Sequence, residues 1–359
     1  MTQWNNLKYE LMEEIGENMD IVIFRYWLET GTFQWHIRSH ITMDGAGAFS
    51  DVLTQIDDVT FDRLPMRSSA KEPGFLQKLY LTLRFWRLTR GAPTPWGITP
   101  DFSITGPSDA FNFYYFTEEE TETLEAFAKN AGSSLTGLML KTLDDAAARA
   151  FLKEGSTRTW VIPTNMRGAV TEQFNTGNYS TSTLVRTSDD DSEESIYKKM
   201  RDFMDKGLLW GSWTFTNLPK YMSADRYRKM VQGMGNAAFG SMSNLGKGPY
   251  PGMHYPKDAV DTTTYLWTGV APSSVVVPIN GGFAMWEKRL GLTLKLHPSL
   301  KQNAKECTAL MQQWIEGLTG RDPALHFDPK RLHGVALKDV YGQATSRHHP
   351  REVEEVAAP

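Results

Sequence analysis

The chain has 359 residues, 22% of them charged and 40% hydrophobic, with a formal net charge of -4. This is the balance of a globular protein with a large core, and it gives no electrostatic reason to expect nucleic acid or an anionic membrane as partner. The lone Cys307 excludes an intramolecular disulfide and a multi-cysteine metal site, and no apolar run approaches the roughly 20 residues of a membrane span. In chain order, Met1–Asn6 lacks the basic-then-apolar pattern of a leader peptide, so the expectation is a cytoplasmic protein. Ile21 to Leu28 is an apolar run broken by Arg25, suited to a central strand. Phe33, Trp35 and Ile37 then alternate with polar residues at period two, across a Gly-containing hairpin connection at Glu29–Thr32. Directly after His40 the period changes, and Phe49, Val52, Leu53 and Ile56 share one helical face. His40 is therefore predicted to sit where a strand ends and a helix begins.

The spacing from Phe75 to Leu88 predicts a helix mixing Leu, Phe and Trp with Arg and Lys. The Pro- and Gly-rich stretch Gly91–Pro107 predicts a loop, a candidate lid. Phe111–Phe116 predicts a strand, and Thr117 with Glu120 forms a capping-box signature for the next helix. Further helices are predicted over Ser134–Leu152, Ser195–Trp210 and Lys220–Met234. Leu300, Ala304, Cys307, Met311, Trp314 and Leu318 track one face of a last helix. Strands are predicted at Arg158–Pro163, Tyr179–Thr187, Ala237–Leu245, Thr262–Val270, Ser274–Val277 and Phe283–Leu296, the last a hairpin around Arg289-Leu290-Gly291. The pattern amounts to mixed α/β, divided as residues 1–155, 156–320 and a flexible tail from 321 to 359. The 11 Trp and 16 Met suit either a broad apolar cavity or simply a bulky core.

The chemistry concentrates in Ser39-His40-Ile41-Thr42-Met43-Asp44-Gly45. Imidazole is the side chain that takes a proton near neutral pH, and a strand-to-helix turn aims it from a rigid edge. Asp44 is too close in sequence to be an independent catalyst, so it reads as a brace that pairs with an arginine, while Gly45 lets the backbone pass tightly into the helix. The bland reading of His40 is a core histidine hydrogen-bonded to a neighbour.

This segment resembles the active-site motif of the chloramphenicol-acetyltransferase-like superfamily, which includes condensation domains and alcohol acetyltransferases. Many members carry two adjacent histidines, the second being the base; here Ser39 stands in place of the first. Val161 to Gly168 resembles the strand that ends in an arginine, so the resemblance implies Arg167 as partner of Asp44. Phe174 to Ser180 resembles the Gly-Asn segment before the next strand, and Ser241 to Gly246 resembles a Ser-Asn-x-Gly segment bordering the channel. The implied fold is two α/β lobes of mixed sheets flanked by helices, with a channel between them. His40 comes early compared with the family, which implies a shortened first lobe that is incomplete, rebuilt from elsewhere or completed by another subunit.

The resemblance implies acyl transfer from a CoA or acyl carrier protein thioester to a hydroxyl or amine of a hydrophobic small molecule. His40 is the expected base, with Gly45, Ser241, Ser243 and Asn244 as candidates for substrate or oxyanion binding. It implies no bound cofactor and leaves a homo-oligomer open, while the charge balance and the lack of a ligand cluster imply no nucleic-acid partner and no metal. Asn165 and Asn178 read as fixing backbone at strand ends. His36 reads as structural or channel-lining, and His254 as an entrance or solvated residue. Tyr114, Tyr115, Trp210 and Trp213 are candidate channel walls or core. His348-His349 lacks further ligands nearby for a metal site. Two competing readings stay open: a cyclase with His40 as acid or base, and a non-catalytic accessory protein.

Overall fold

A computed structural model describes residues 6–62, 68–90, 93–172, 176–217, 223, 225, 226, 229, 238–257 and 259–348. Most of the expected helix from Lys220 to Met234, together with Phe174, Asn175, Ala237, His349 and the last ten residues of the tail, lies outside them. The apolar run becomes β1 (Asp20–Trp27), paired antiparallel with β2 (Phe33–Ser39) from Asp20↔Ser39 to Tyr26↔Phe33. Period-two alternation fixes this register, because a one-residue slip would turn Trp35 and Ile37 away from the core. On its other side β1 pairs with β9 (Tyr265–Val270), and β13 (Ser346–His348) runs parallel beside β2. The result is a four-stranded sheet in the order β13-β2-β1-β9.

The second sheet has seven strands. Their order is β12 (His333–Ala336), β4 (Ala110–Tyr115), β11 (Arg289–Leu296), β10 (Ile279–Trp286), β7 (Gly240–Gly248), β5 (Arg158–Asn165) and β6 (Ser180–Thr187). It is mixed, since β7 runs parallel to both β10 and β5 while the other pairs are antiparallel. Rings join the two sheets: Phe24 lies 5.9 Å from Phe111 and 5.1 Å from Phe113. The outer face is covered by α4 (Glu118–Asn130), α5 (Leu135–Phe151) and α8 (Ala304–Thr319), whose Leu138, Leu143, Met311 and Trp314 are buried in one cluster. Thr117 and Glu120 form the capping box of α4, and Asn303 with Glu306 forms another on α8. Inside this layer Asp144 accepts from Arg158, from Trp160 Nε1 at 2.7 Å and from Thr187 at 3.0 Å, tying α5 to β5 and β6. Among the described residues no helix is long and apolar enough to cross a membrane.

Several elements differ from the sequence reading. A helix α1 (Asn6–Glu14) precedes β1 and had no counterpart in the pattern. The single helix expected at Ser195–Trp210 is two, α6 (Glu193–Asp205) and α7 (Leu208–Asn217), because Gly207 takes φ +69 between them. The β10–β11 hairpin turns at Glu287-Lys288, both with positive φ, as a two-residue hairpin turn of the primed kind requires. Gly291 is instead a packing glycine: a Cβ there would lie 2.9 Å from Leu266. Ser274–Val277 makes one isolated bridge rather than a strand. The expected lid is not one, for Trp96 is buried and bridges to Leu152 while Gly97 N donates to Phe151 O.

Residue 155 does not separate the sheets. β4 from the first half pairs with β11, and β9 from the second half pairs with β1. Nor is everything past residue 320 a tail: β12, α9 (Leu337–Gln343) and β13 carry the chain across both sheets, and Leu337 and Val340 are buried. A short strand needs only a partner edge, not a strong pattern of its own, which is why this segment read as polar.

Candidate active site

The end of β2 sets the site. His40 N donates to Met19 O at 2.8 Å, and Thr42 and Met43 fold their N–H groups back to Ser39 O. Asp44 then caps α2 (Gly45–Asp57), its Oδ1 accepting from Gly47 N at 2.8 Å. A carboxylate here satisfies an otherwise orphaned amide and faces the positive end of the helix dipole. The chain thus goes from strand to helix within five residues, with His40 on the turn.

Asp44 is 3% exposed and Arg167 not at all, so the pair must compensate its own desolvation. Arg167 Nη1 reaches Asp44 Oδ2 at 2.7 Å and Oδ1 at 3.0 Å. Tyr179 N donates to Oδ2 at 2.8 Å, and the other Arg167 nitrogen donates to Gly177 O. The guanidinium also lies 5.0 Å from the Tyr179 ring centroid. Three separate segments (the start of α2, the end of β5 and the lead into β6) are locked through these two charges.

Gly47 is part of this lock. A Cβ there would stand 2.0 Å from Thr176 O and 3.1 Å from Arg167 Nη2, too close for any side chain. Gly47→Ala therefore destabilises by about 1–3 kcal/mol, the usual cost of overpacking. A urea midpoint equal to that of the native chain would contradict this account.

His40 is half-buried and held on two further sides. Its ring stacks on Tyr9 of α1, with centroids 4.1 Å apart and planes inclined by 20°. Asn178 Nδ2 donates to His40 O at 2.9 Å and lies 3.2 Å from His40 Nδ1. The amide orientation follows from its partners: a carbonyl oxygen can only accept, and Asn178 Oδ1 takes the Ser180 hydroxyl at 3.0 Å. With a donor facing Nδ1, the neutral ring places its proton on Nε2.

His40, Asp44 and Gly45 line a cavity of about 810 Å³. Its walls come from β5, β6, β7, β9, β10, α3 (Phe75–Thr89), α6 and α7, and most of the lining surface is apolar. Ser241, Ser243 and Asn244 on β7 line it as well. They are not equivalent. Asn244 is exposed, donates to Thr136 Oγ1 at 3.1 Å and accepts from Gly246 N at 2.7 Å, so both ends of its amide are engaged. Ser241 is buried and its Oγ accepts from Asn280 Nδ2 at 2.9 Å, which leaves the hydroxyl its own hydrogen to donate. Asn280 Nδ2 also donates to Pro272 O at 3.2 Å, which fixes the amide, and its buried Oδ1 meets no hydrogen-bond partner among the described residues. Asn280, also on the cavity wall, carries no signal in the sequence, where it falls between the predicted strands Ser274–Val277 and Phe283–Leu296. Lys295 is its cross-strand neighbour, and burial lowers that ammonium to about 8 even with Asp20 nearby.

The other candidates fall elsewhere. Tyr114, Tyr115, Trp210 and Trp213 belong to or pack against core clusters and are absent from the cavity wall. His254 is exposed and bonds Asp62 at 3.0 Å across the small β3 (Thr60–Phe61) and β8 (Met253–His254) pair. Asn165 does lie on the cavity wall, but its Oδ1 accepts from Arg167 N at 2.9 Å, as a local turn residue does. His36 is fully buried, 3.0 Å from Ser346 Oγ. Burial, with Arg38 and Arg25 close by, pushes its ring down to about 4. Between that value and the ordinary imidazole value near 6.5, the unfolded chain binds a proton that the folded one refuses. Stability is thus fully present above about pH 6.5 and falls as pH drops toward 4, by up to about 1.4 kcal/mol per pH unit from this group. Urea midpoints at several pH values would show the slope, and His36→Asn should flatten it.

No protein-family model and no curated protein sequence matches the chain. In structure it is similar to a condensation domain that mediates chain release from the enacyloxin polyketide synthase, at 15% identity and a TM-score of 0.48, over 82% of this chain and 59% of that one. It is similar to polyketide synthase associated protein 5 from Mycobacterium tuberculosis, at 13% identity and a TM-score of 0.48, over 82% and 76% of the two chains. It is also similar to a trichothecene 15-O-acetyltransferase from Fusarium sporotrichioides, at 12% identity and a TM-score of 0.49, over 71% and 55%. The chain thus spans less than two thirds of the length of the first and third of these structures.

Proposed function

We propose that this chain is an acyltransferase that moves an acyl group from a CoA or carrier-protein thioester to a hydroxyl or amine of a hydrophobic small molecule. The observation that carries the reading is His40 on the wall of a large, mainly apolar cavity, with its turn braced by the buried Asp44–Arg167 pair. In the step, His40 takes the proton from the acceptor on a ring nitrogen freed of its own hydrogen, the tautomer opposite to the one the Asn178 amide favours, as the acceptor oxygen or nitrogen attacks the thioester carbonyl. The Ser241 and Ser243 hydroxyls are the donors closest in kind to what the resulting oxyanion needs. Collapse expels the thiolate, which recovers the proton from the imidazolium. Asp44 and Arg167 act through the turn and are positioning residues.

One observation favours a second reading. The Asn178 amide beside Nδ1 sets the proton of the neutral ring on Nε2, which suits His40 as a proton donor. A donor in an apolar cavity fits a cyclase acting on a hydrophobic precursor. A panel of acyl thioesters with thiol detection separates the two. Thiol release that depends on an added alcohol or amine supports transfer, and its absence across the panel sinks it.

A further inference from the structure

We propose that α3 is an interfacial docking helix that seats the protein on an anionic lipid surface. Its inner face is already satisfied. Leu81, Thr82 and Phe85 are buried, and α3 approaches α7 so closely that a Cβ on Gly211 would lie 2.3 Å from Leu81 O. The outer face is not. Phe75 is 79% exposed, Leu76 78%, Tyr80 57%, Leu79 50% and Leu83 48%. Among the described residues, seven of the eight large hydrophobic side chains left exposed lie on this helix. Scattered exposed apolar groups need no explanation, but a contiguous band of them on one helix marks a contact surface.

The charge identifies the occupant. From Phe75 to Arg90 there is no Asp or Glu, while Arg84, Arg87 and Arg90 are basic; Lys78 instead pairs with Glu72 and lies over Trp210. Arg84 lies 5.6 Å from the Tyr80 ring centroid and Arg90 3.6 Å from that of Trp86, so cations and aromatics share the same edge. The net charge of -4 averages over the whole surface and hides this strip. An apolar face of Phe, Leu and Trp edged by arginines lies in the boundary between headgroups and acyl chains, each basic residue adding attraction to anionic lipid. A second copy fits less well, because two α3 helices face to face would bring like charges together. The same helix supplies Phe85, Leu88 and Thr89 to the cavity wall, so docking would set the cavity beside a source of apolar ligands.

The test is co-sedimentation of the full chain with vesicles of phosphatidylcholine alone or with about a third phosphatidylserine. The native chain should bind the anionic vesicles at least about tenfold more tightly than the neutral ones, and added salt should weaken it. Leu76→Glu with Leu83→Glu, and separately Arg84→Glu with Arg87→Glu, should each cut binding by at least about tenfold at an unchanged melting temperature. Phe75→Ser serves if the paired variants melt early, and it should still weaken binding. Three results overturn the proposal: no sedimentation of the native chain, equal binding by the stable variants, or a native dimer that the leucine variants dissociate while vesicles are ignored. None depends on acyl transfer, so failure here leaves the reading of the cavity standing.

Discussion

His40→Ala should lower the rate of thiol release from the productive thioester by about 10²–10⁴-fold, the span general acid–base groups contribute. KM should move much less, since the ring is one contact on a wall that many other elements build. The variant loses the stack on Tyr9 and the contact with Asn178, so a matched melting curve is the necessary companion measurement. A well-folded His40→Ala chain with native turnover would remove every catalytic reading at once. A base is active when neutral, so kcat/KM should rise with pH and level off. A rate that falls over the same limb would make the imidazolium the active form and would overturn His40 as the base.

The second large effect is on stability. Arg167→Met should cost about 3–5 kcal/mol, because it leaves the Asp44 carboxylate buried without its counter-charge. Asp44→Asn keeps an oxygen for Gly47 N but strands the guanidinium, and should be destabilising to a similar degree. Removing both charges, Asp44→Asn with Arg167→Met, should cost clearly less than the sum, since no lone ion then remains inside. Urea unfolding of the four proteins closes this cycle. Additive costs would mean that the two residues do not act as a pair, and that the turn carrying His40 is held by something else. The same variants should reduce turnover through the turn even where the fold survives, with the loss in kcat rather than KM.

What could be read in advance was what is local. The apolar run of β1, the alternation in β2 and the helical face after Gly45 put His40 at a strand-to-helix turn, because period follows from backbone geometry over a few residues. The capping box at Thr117 was visible for the same reason. The Asp44–Arg167 contact came from the resemblance and not from any spacing, since 123 positions separate the two residues.

Tertiary structure decided the rest. Tyr9, from a short helix with little amphipathic pattern, reaches His40 only when α1 lies against the end of the first sheet. Asn178 read as a turn residue, yet its amide also sets the imidazole tautomer, a role that depends on which atoms a fold brings within about 3 Å. Asn280 and Ser241 meet because β7 and β10 run parallel in register, and β13 completes the first sheet from the far end of the chain. By itself the sequence determined β1, β2 and the helix after Gly45, the turn that presents His40 and the residue types able to do proton chemistry there. Only the tertiary structure decided which nitrogen of that ring faces an amide, which polar groups line the cavity and which face of α3 is left exposed among the described residues. Each of those depends on contacts between segments distant in the chain, and hydrophobic period records burial without naming the partner.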